Sequence, residues 1–161
     1  MEQGTTWKIC VFSDSHGNSE PMVEAALREQ PDYIFFLGDG ERDLPDLRRK
    51  FPRLPIEAVR GNCDLYSELP ADLICSVGGV RFFITHGHRY GVKTDRQLDA
   101  LKYAARKARA KIALFGHTHS PYLEETDGLL LLNPGSIGRW SPSYAVLEIE
   151  NGQIRPRLES V

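Results

Sequence analysis

Short apolar runs along the chain end, one after another, in polar loops that contain glycine. Trp7 to Phe12 reads as a strand and stops at Ser13-Asp14-Ser15-His16-Gly17-Asn18. Ser19-Glu20-Pro21 marks a helix start, with proline tolerated in the first turn, and Met22 to Gln30 continues it. The run Tyr33-Ile34-Phe35-Phe36-Leu37 is apolar at every position, as in a strand covered on both faces, and it delivers Asp39 between two glycines, Gly38 and Gly40. A short helix is expected around Leu44 to Lys50. A strand from Ile56 to Val59 then runs into Arg60-Gly61-Asn62-Cys63-Asp64. This alternation of strand and helix predicts a partly parallel sheet with helices packed on it.

The second half reads differently. Leu73 to Val77 and Val80 to Thr85 form a hairpin across Gly78-Gly79, and the second strand ends at His86-Gly87-His88. From Asp95 to about Ala110 the spacing predicts a helix, with Leu98, Leu101, Ala105 and Ala108 on one stripe and Lys102, Arg106 and Arg109 on a solvated face. Ile112 to Phe115 is a short buried strand that runs into Gly116-His117-Thr118-His119-Ser120-Pro121. Two further hairpins follow: Tyr122 to Thr126 with Leu129 to Leu132 across Asp127-Gly128, and Tyr144 to Ile149 with Gln153 to Leu158 across Asn151-Gly152. Between them lies Asn133-Pro134-Gly135-Ser136, read as a turn beside the site. The expected architecture is α/β, two stacked sheets with helices outside.

Length and composition narrow the functional classes. With 161 residues, 41% of them hydrophobic, and a net charge of −2, the sequence fits one soluble domain over residues 1–161. No basic patch interleaved with aromatics favours a nucleic-acid partner. The cysteines Cys10, Cys63 and Cys75 form no C-x-x-C pair, which fits a reducing, cytoplasmic setting better than a disulfide framework. No leader-like apolar segment opens the chain, and no run approaches the roughly eighteen apolar residues of a membrane span, so secretion and a membrane partner are not expected. A homo-oligomer is allowed by everything in the sequence.

The chemistry lies in the histidines. His16, His86, His88, His117 and His119 all follow the carboxyl end of an expected strand, where loops of an α/β sheet converge. With Asp14, Asp39 and Asn62 they offer carboxylate, imidazole and amide oxygen donors, which suit divalent ions such as Mn, Fe or Zn, with Ni also compatible. Seven ligands, Asp14, His16, Asp39, Asn62, His86, His117 and His119, are too many for one ion. If Asp39 bridges, four groups serve each of two ions, spaced roughly 3.5–4 Å apart as in two-metal hydrolytic sites. His117 and His119 would diverge by about 200° on a helix, so they are placed on a bent loop.

Asp14-Ser15-His16, Gly38-Asp39, Gly61-Asn62-Cys63-Asp64, His86-Gly87-His88 and Gly116-His117-Thr118-His119 resemble, in order, the motifs of the calcineurin-like metallophosphoesterases, and the length resembles their small phosphodiesterase branch. The resemblance implies a four-layer αββα sandwich of two mixed sheets. It implies one metal held by Asp14, His16, Asp39 and His119, and another held by Asp39, Asn62, His86 and His117. A small phosphate ester is the implied substrate, attacked by hydroxide bridging the two ions, with Asn62 and His88 near the phosphate. Cys63 stands where much of the superfamily has a histidine that protonates the leaving group. By itself Cys63 reads as a small residue under the site, and Asp64 as a brace for its loop. The alternative from another class is a protein-interaction scaffold on the same fold, like the retromer subunit. His16 and His117, the positions at which that protein is least alike, are both present.

Overall fold

The computed structural model describes residues 6–161. Strand β1 (Thr6–Phe12) leads to helix α1 (Glu20–Glu29), β2 (Tyr33–Phe36), a 3₁₀ turn at Glu41–Asp43, α2 (Leu44–Lys50) and β3 (Ile56–Ala58). There follow β4 (Asp72–Val77), β5 (Val80–Thr85), a 3₁₀ turn at His88–Tyr90, α3 (Asp99–Lys107) and β6 (Ile112–Leu114). The chain closes with β7 (Tyr122–Thr126), β8 (Leu129–Asn133), β9 (Ser143–Glu150) and β10 (Gln153–Ser160).

The strands form two mixed sheets of five, in the orders β10-β9-β1-β2-β3 and β4-β5-β6-β8-β7. Strands β1, β2 and β3 are parallel, as are β5, β6 and β8, while the hairpin partners run antiparallel. Alternation along each strand builds three apolar layers. Ile9, Val11, Phe35 and Leu37 meet Phe82, Ile84, Ile112 and Leu114 between the sheets. There the Phe35 and Phe82 rings cross edge to face at 5.0 Å. Cys10, Phe12, Ile34 and Phe36 point outward onto Met22 and Ala25 of α1 and Leu44 and Leu47 of α2. On the far side Phe83, Ala113 and Phe115 pack against Leu101 and Ala105 of α3. The result is a four-layer αββα sandwich. Its central strands carry unbroken apolar runs because both faces are covered.

The three hairpins turn where Gly78-Gly79, Asp127-Gly128 and Asn151-Gly152 place them, each with both turn residues at positive φ. Helix α3 is shorter than its apolar stripe predicts, starting at Asp99 rather than Asp95. The Asp95 carboxylate accepts the backbone N–H groups of Gln97 (3.1 Å) and Asp99 (2.8 Å), and Leu98 sits at φ 57°. A capped loop thus replaces the first predicted turn. Strand β3 ends at Ala58, although the Val59 N–H still donates to the Phe36 carbonyl at 3.0 Å. No helix among the described residues is long and apolar enough to cross a membrane.

Candidate metal centre

The parallel strands of both sheets send their carboxyl ends to one edge of the sandwich. The loops after β1, β2 and β3 therefore face those after β5 and β6. These loops are sharply bent. Asp14 (φ 58°), His16 (46°), Asp39 (62°), His117 (71°) and His119 (64°) all lie in the left-handed region that side chains other than glycine rarely adopt. Hydrogen bonds between loops hold them there: the Asp14 and His16 amides donate to the Gly38 and Asp39 carbonyls at 2.9 and 3.0 Å, and the Gly116 amide to His86 at 2.9 Å. Such concentrated backbone strain is characteristic of functional sites. Glycines let the loops close. A Cβ on Gly38, at φ 103°, would lie 2.6 Å from the Gly61 nitrogen and 2.8 Å from His86 Nδ1.

Each aspartate spends one oxygen on its loop and turns the other inward. Asp14 Oδ2 accepts Ser13 Oγ–H at 2.5 Å and the His117 amide at 3.1 Å. Its Oδ1 lies 3.2 Å from His119 Nε2, 3.5 Å from His16 Nε2 and 3.8 Å from His86 Nε2. Asp39 Oδ1 accepts the Cys63 amide at 2.7 Å, while Oδ2 lies 3.1 Å from His86 Nε2 and 3.8 Å from His16 Nε2. His86 Nδ1 is 2.7 Å from the Leu37 carbonyl, which only accepts. In the neutral ring Nδ1 therefore carries the hydrogen, and the Nε2 lone pair faces the crevice.

The inward-facing atoms lack partners of their own. Asp14 Oδ1, His16 Nε2 and His86 Nε2 are buried without a hydrogen bond, an arrangement that is costly unless a cation satisfies them. Their donor atoms fall into three overlapping groups, each within 4.8 Å: Asp14, His16 and His119; Asp39, His86 and His117; and His16, Asp39 and Cys63. Burial opposes the charge on Asp39, but the His86 imidazole facing its carboxylate outweighs burial when protonated and holds the carboxyl well below its usual range. Burial, aided by His86, pushes His117 down to about 4, and burial also lowers His119. For His86, burial is outweighed by Asp39 and Asp14, which raise its pKa. Carboxylate oxygen beside imidazole nitrogen is a donor set that fits divalent first-row ions.

Around this core the other expected residues take distinct places. The His88 ring lies 5.4 Å from that of His86 and 6.1 Å from that of His117, and its Nδ1 is buried without a partner. Asn62 is exposed on the loop after β3, with its amide nitrogen 3.6 Å from Cys63 Sγ. Cys63 is not beneath the site: it is exposed, and its Sγ joins the donor group of His16 and Asp39. Ser136, in the loop expected beside the site, donates its hydroxyl to the Asp14 carbonyl at 2.7 Å.

Two features escape sequence reasoning. Asp43 occupies the N-cap position of α2 yet makes no side-chain cap. Its carboxylate instead accepts from Ser15 Oγ at 2.5 Å and the Gly17 amide at 2.9 Å. Arg42, Leu65 and Tyr66 join His16, Asp39 and Cys63 around a cleft of about 460 Å³, and no motif marks them.

Stacked sheets whose parallel strands bring carboxylates and imidazoles to one crevice offer the oxygen and nitrogen donors that a divalent ion takes. Comparison with known proteins gives the family. Residues 7–152 match the calcineurin-like phosphoesterase superfamily domain. The "Probable metallophosphoesterase YsnB" of Bacillus subtilis is 35% identical over 150 residues, covering 89% of this chain and 85% of that protein. A protein of Streptococcus pneumoniae described as a predicted phosphoesterase has a crystal structure that superposes with a TM-score of 0.81 at 32% identity, covering 97% of this chain and 90% of that one. Vps29 of Entamoeba histolytica, solved with Zn²⁺, shares the fold at a TM-score of 0.73 and 21% identity, covering 95% of this chain and 98% of its own. The chain belongs to the calcineurin-like phosphoesterase superfamily.

Proposed function

We propose that the protein is a metal-dependent phosphodiesterase acting on small phosphate esters, with two divalent ions, manganese foremost, in the crevice. The observation that carries this reading is that Asp14 Oδ1, Asp39 Oδ2 and the Nε2 atoms of His16, His86 and His119 turn toward one another, while the opposite atoms of Asp14, Asp39 and His86 are tied to the loops. Asp14, His16, Asp39 and His119 would hold one ion, and Asp39, Asn62, His86 and His117 the other. When bound, the ions lower the pKa of coordinated water and stabilise charge on the phosphoryl oxygens.

The residues around the ions decide the rest. Two dications against two aspartates leave the crevice positive, which suits a phosphate anion. His88 and the exposed Asn62 amide are placed at the phosphate, where each can donate a hydrogen bond. Cys63 presents a thiol where an imidazolium would protonate the departing oxygen, so that oxygen leaves largely as an anion. Diesters with phenolic leaving groups are accordingly better substrates than alkyl esters.

The test is an assay of chelator-stripped protein, with each metal restored, against phosphomonoesters and diesters of graded leaving-group pKa. A steep fall of log rate with leaving-group pKa is expected, and Cys63→His should flatten it, since a positioned general acid contributes about 10²- to 10⁴-fold. A shallow wild-type slope would overturn the role given to Cys63. Metal binding without turnover of any phosphoester would favour the scaffold reading instead.

A further inference from the structure

Cys63 occupies a position that a purely oxygen and nitrogen metal site would leave unexplained. Its thiol is exposed toward the cleft, and its Sγ lies within 4.8 Å of a donor atom on both His16 and Asp39, which are themselves within that distance of each other. Zinc bonds sulfur at about 2.3 Å and nitrogen or oxygen at about 2.1 Å, so two donors of one tetrahedral ion stand about 3.6 Å apart. Rotation of the Cys63 side chain can close a gap of that size, and an exposed side chain is free to rotate.

The backbone already aims the residue. The Cys63 amide donates to Asp39 Oδ1 at 2.7 Å, fixing Cys63 beside the carboxylate whose other oxygen faces the histidines. The next residue, Asp64, holds that loop to the Asp39 loop through the Asp39 amide at 2.8 Å. His16, whose buried Nε2 has no hydrogen-bond partner, completes a set of one sulfur, one nitrogen and one carboxylate oxygen.

We infer that Cys63 is a further metal donor, making with His16 and Asp39 a position that favours thiophilic divalent ions such as zinc or cadmium over manganese. This rests on the reading of the crevice as a metal centre and goes beyond it by adding a soft ligand to a hard set. On binding, the S–H bond breaks, the proton passes to solvent and the sulfur lone pair forms the bond to the ion. Zinc and manganese thus compete unequally. The leaving-group side of the cleft is also occupied by a thiolate when a thiophilic ion is bound.

The experiment titrates chelator-stripped protein with cadmium, which is redox-silent. It records the ultraviolet thiolate-to-cadmium charge-transfer band and, by elemental analysis after dialysis, the metal bound. Wild type should develop the band as metal binds. Cys63→Ser should lose it, although Cys10 and Cys75 remain. Affinity for cadmium and zinc should fall at least about tenfold in that variant, while affinity for manganese changes less than about threefold. Cys63→Ala should behave as Cys63→Ser does, separating the loss of sulfur from any effect of the new hydroxyl. Cadmium bound by wild type without the band, or a band and affinity unaltered in both variants, overturns the inference and leaves the phosphodiesterase reading standing. Wild-type protein that binds neither manganese nor cadmium overturns both.

Discussion

The Asp64 carboxylate accepts the backbone N–H of Asp39 at 2.8 Å. It also takes the amides of Gly61 at 2.8 Å and of Gly40 and Glu41 at 3.0 Å each, so one side chain ties together the loops that follow β2 and β3. Four donors on two oxygens satisfy a carboxylate's accepting capacity, and Asp64 therefore positions Asp39 without being one of the clustered donors.

Asp64→Ala should accordingly cost about 2–4 kcal/mol of stability, because it strands amides that water reaches only in part. Metal affinity should drop about 10- to 100-fold, the scale of lost outer supporting contacts. Asn should not rescue it, since its NH₂ would face backbone donors. Urea melts and metal isotherms of both variants check this, and wild-type affinity in Asp64→Ala would remove Asp64 from the account.

Gly61 is set by contact. A Cβ there would collide with Asp39 Oδ1 and lie 2.6 Å from the Asp39 nitrogen. Gly61→Ala should thus displace the Asp39 carboxylate and cut metal affinity by more than about tenfold. The sheets, whose core is remote from this loop, should stay folded. Circular dichroism alongside metal binding reads both effects, and an unchanged isotherm would contradict the close approach.

At the C-terminal end of α1, Glu29 is buried at 8% exposure. It accepts Tyr144 O–H at 2.6 Å and Arg157 at 2.9 Å, and it pairs with Lys8 at 3.1 Å. Burial alone would raise its pKa, but the hydrogen bonds from Arg157, Tyr144 and Lys8 outweigh burial and hold it down at about 2. The folded value lies below the unfolded value of about 4.3, so its contribution to stability is present above that pH and is lost as pH falls toward the folded value. Glu29→Gln should cost about 1–3 kcal/mol at neutral pH and make the acid limb shallower. Denaturant midpoints measured from pH 7 down to acid decide it, and parallel acid limbs would contradict the linkage.

Patterns of period and turn chemistry carried most of the fold. Tyr33 to Leu37 is apolar throughout because one face meets Phe82 and Ile84 while the other meets α1 and α2. Asn151-Gly152 and Asp127-Gly128 fix hairpins by local φ alone. The start of α3 was not legible, since its apolar stripe runs on through Leu98 while the Asp95 carboxylate cuts the helix short. At the site, residue type and position at strand ends singled out the convergent donors. The left-handed backbone of Asp14, His16, Asp39, His117 and His119 left no mark in the sequence, because it is imposed by hydrogen bonds between distant loops. For the same reason the sequence left Asp43 unmarked and let Cys63 read as a small residue under the site. Their roles depend on what lies opposite them in space.

The central claim is that Asp39 joins two metal positions in one crevice. Metal analysis of Asp39→Ala, after dialysis against manganese and with folding verified by circular dichroism, tests it most directly. The account predicts two ions per chain in wild type and loss of both in the variant. Two ions still bound to the variant at wild-type affinity would contradict it.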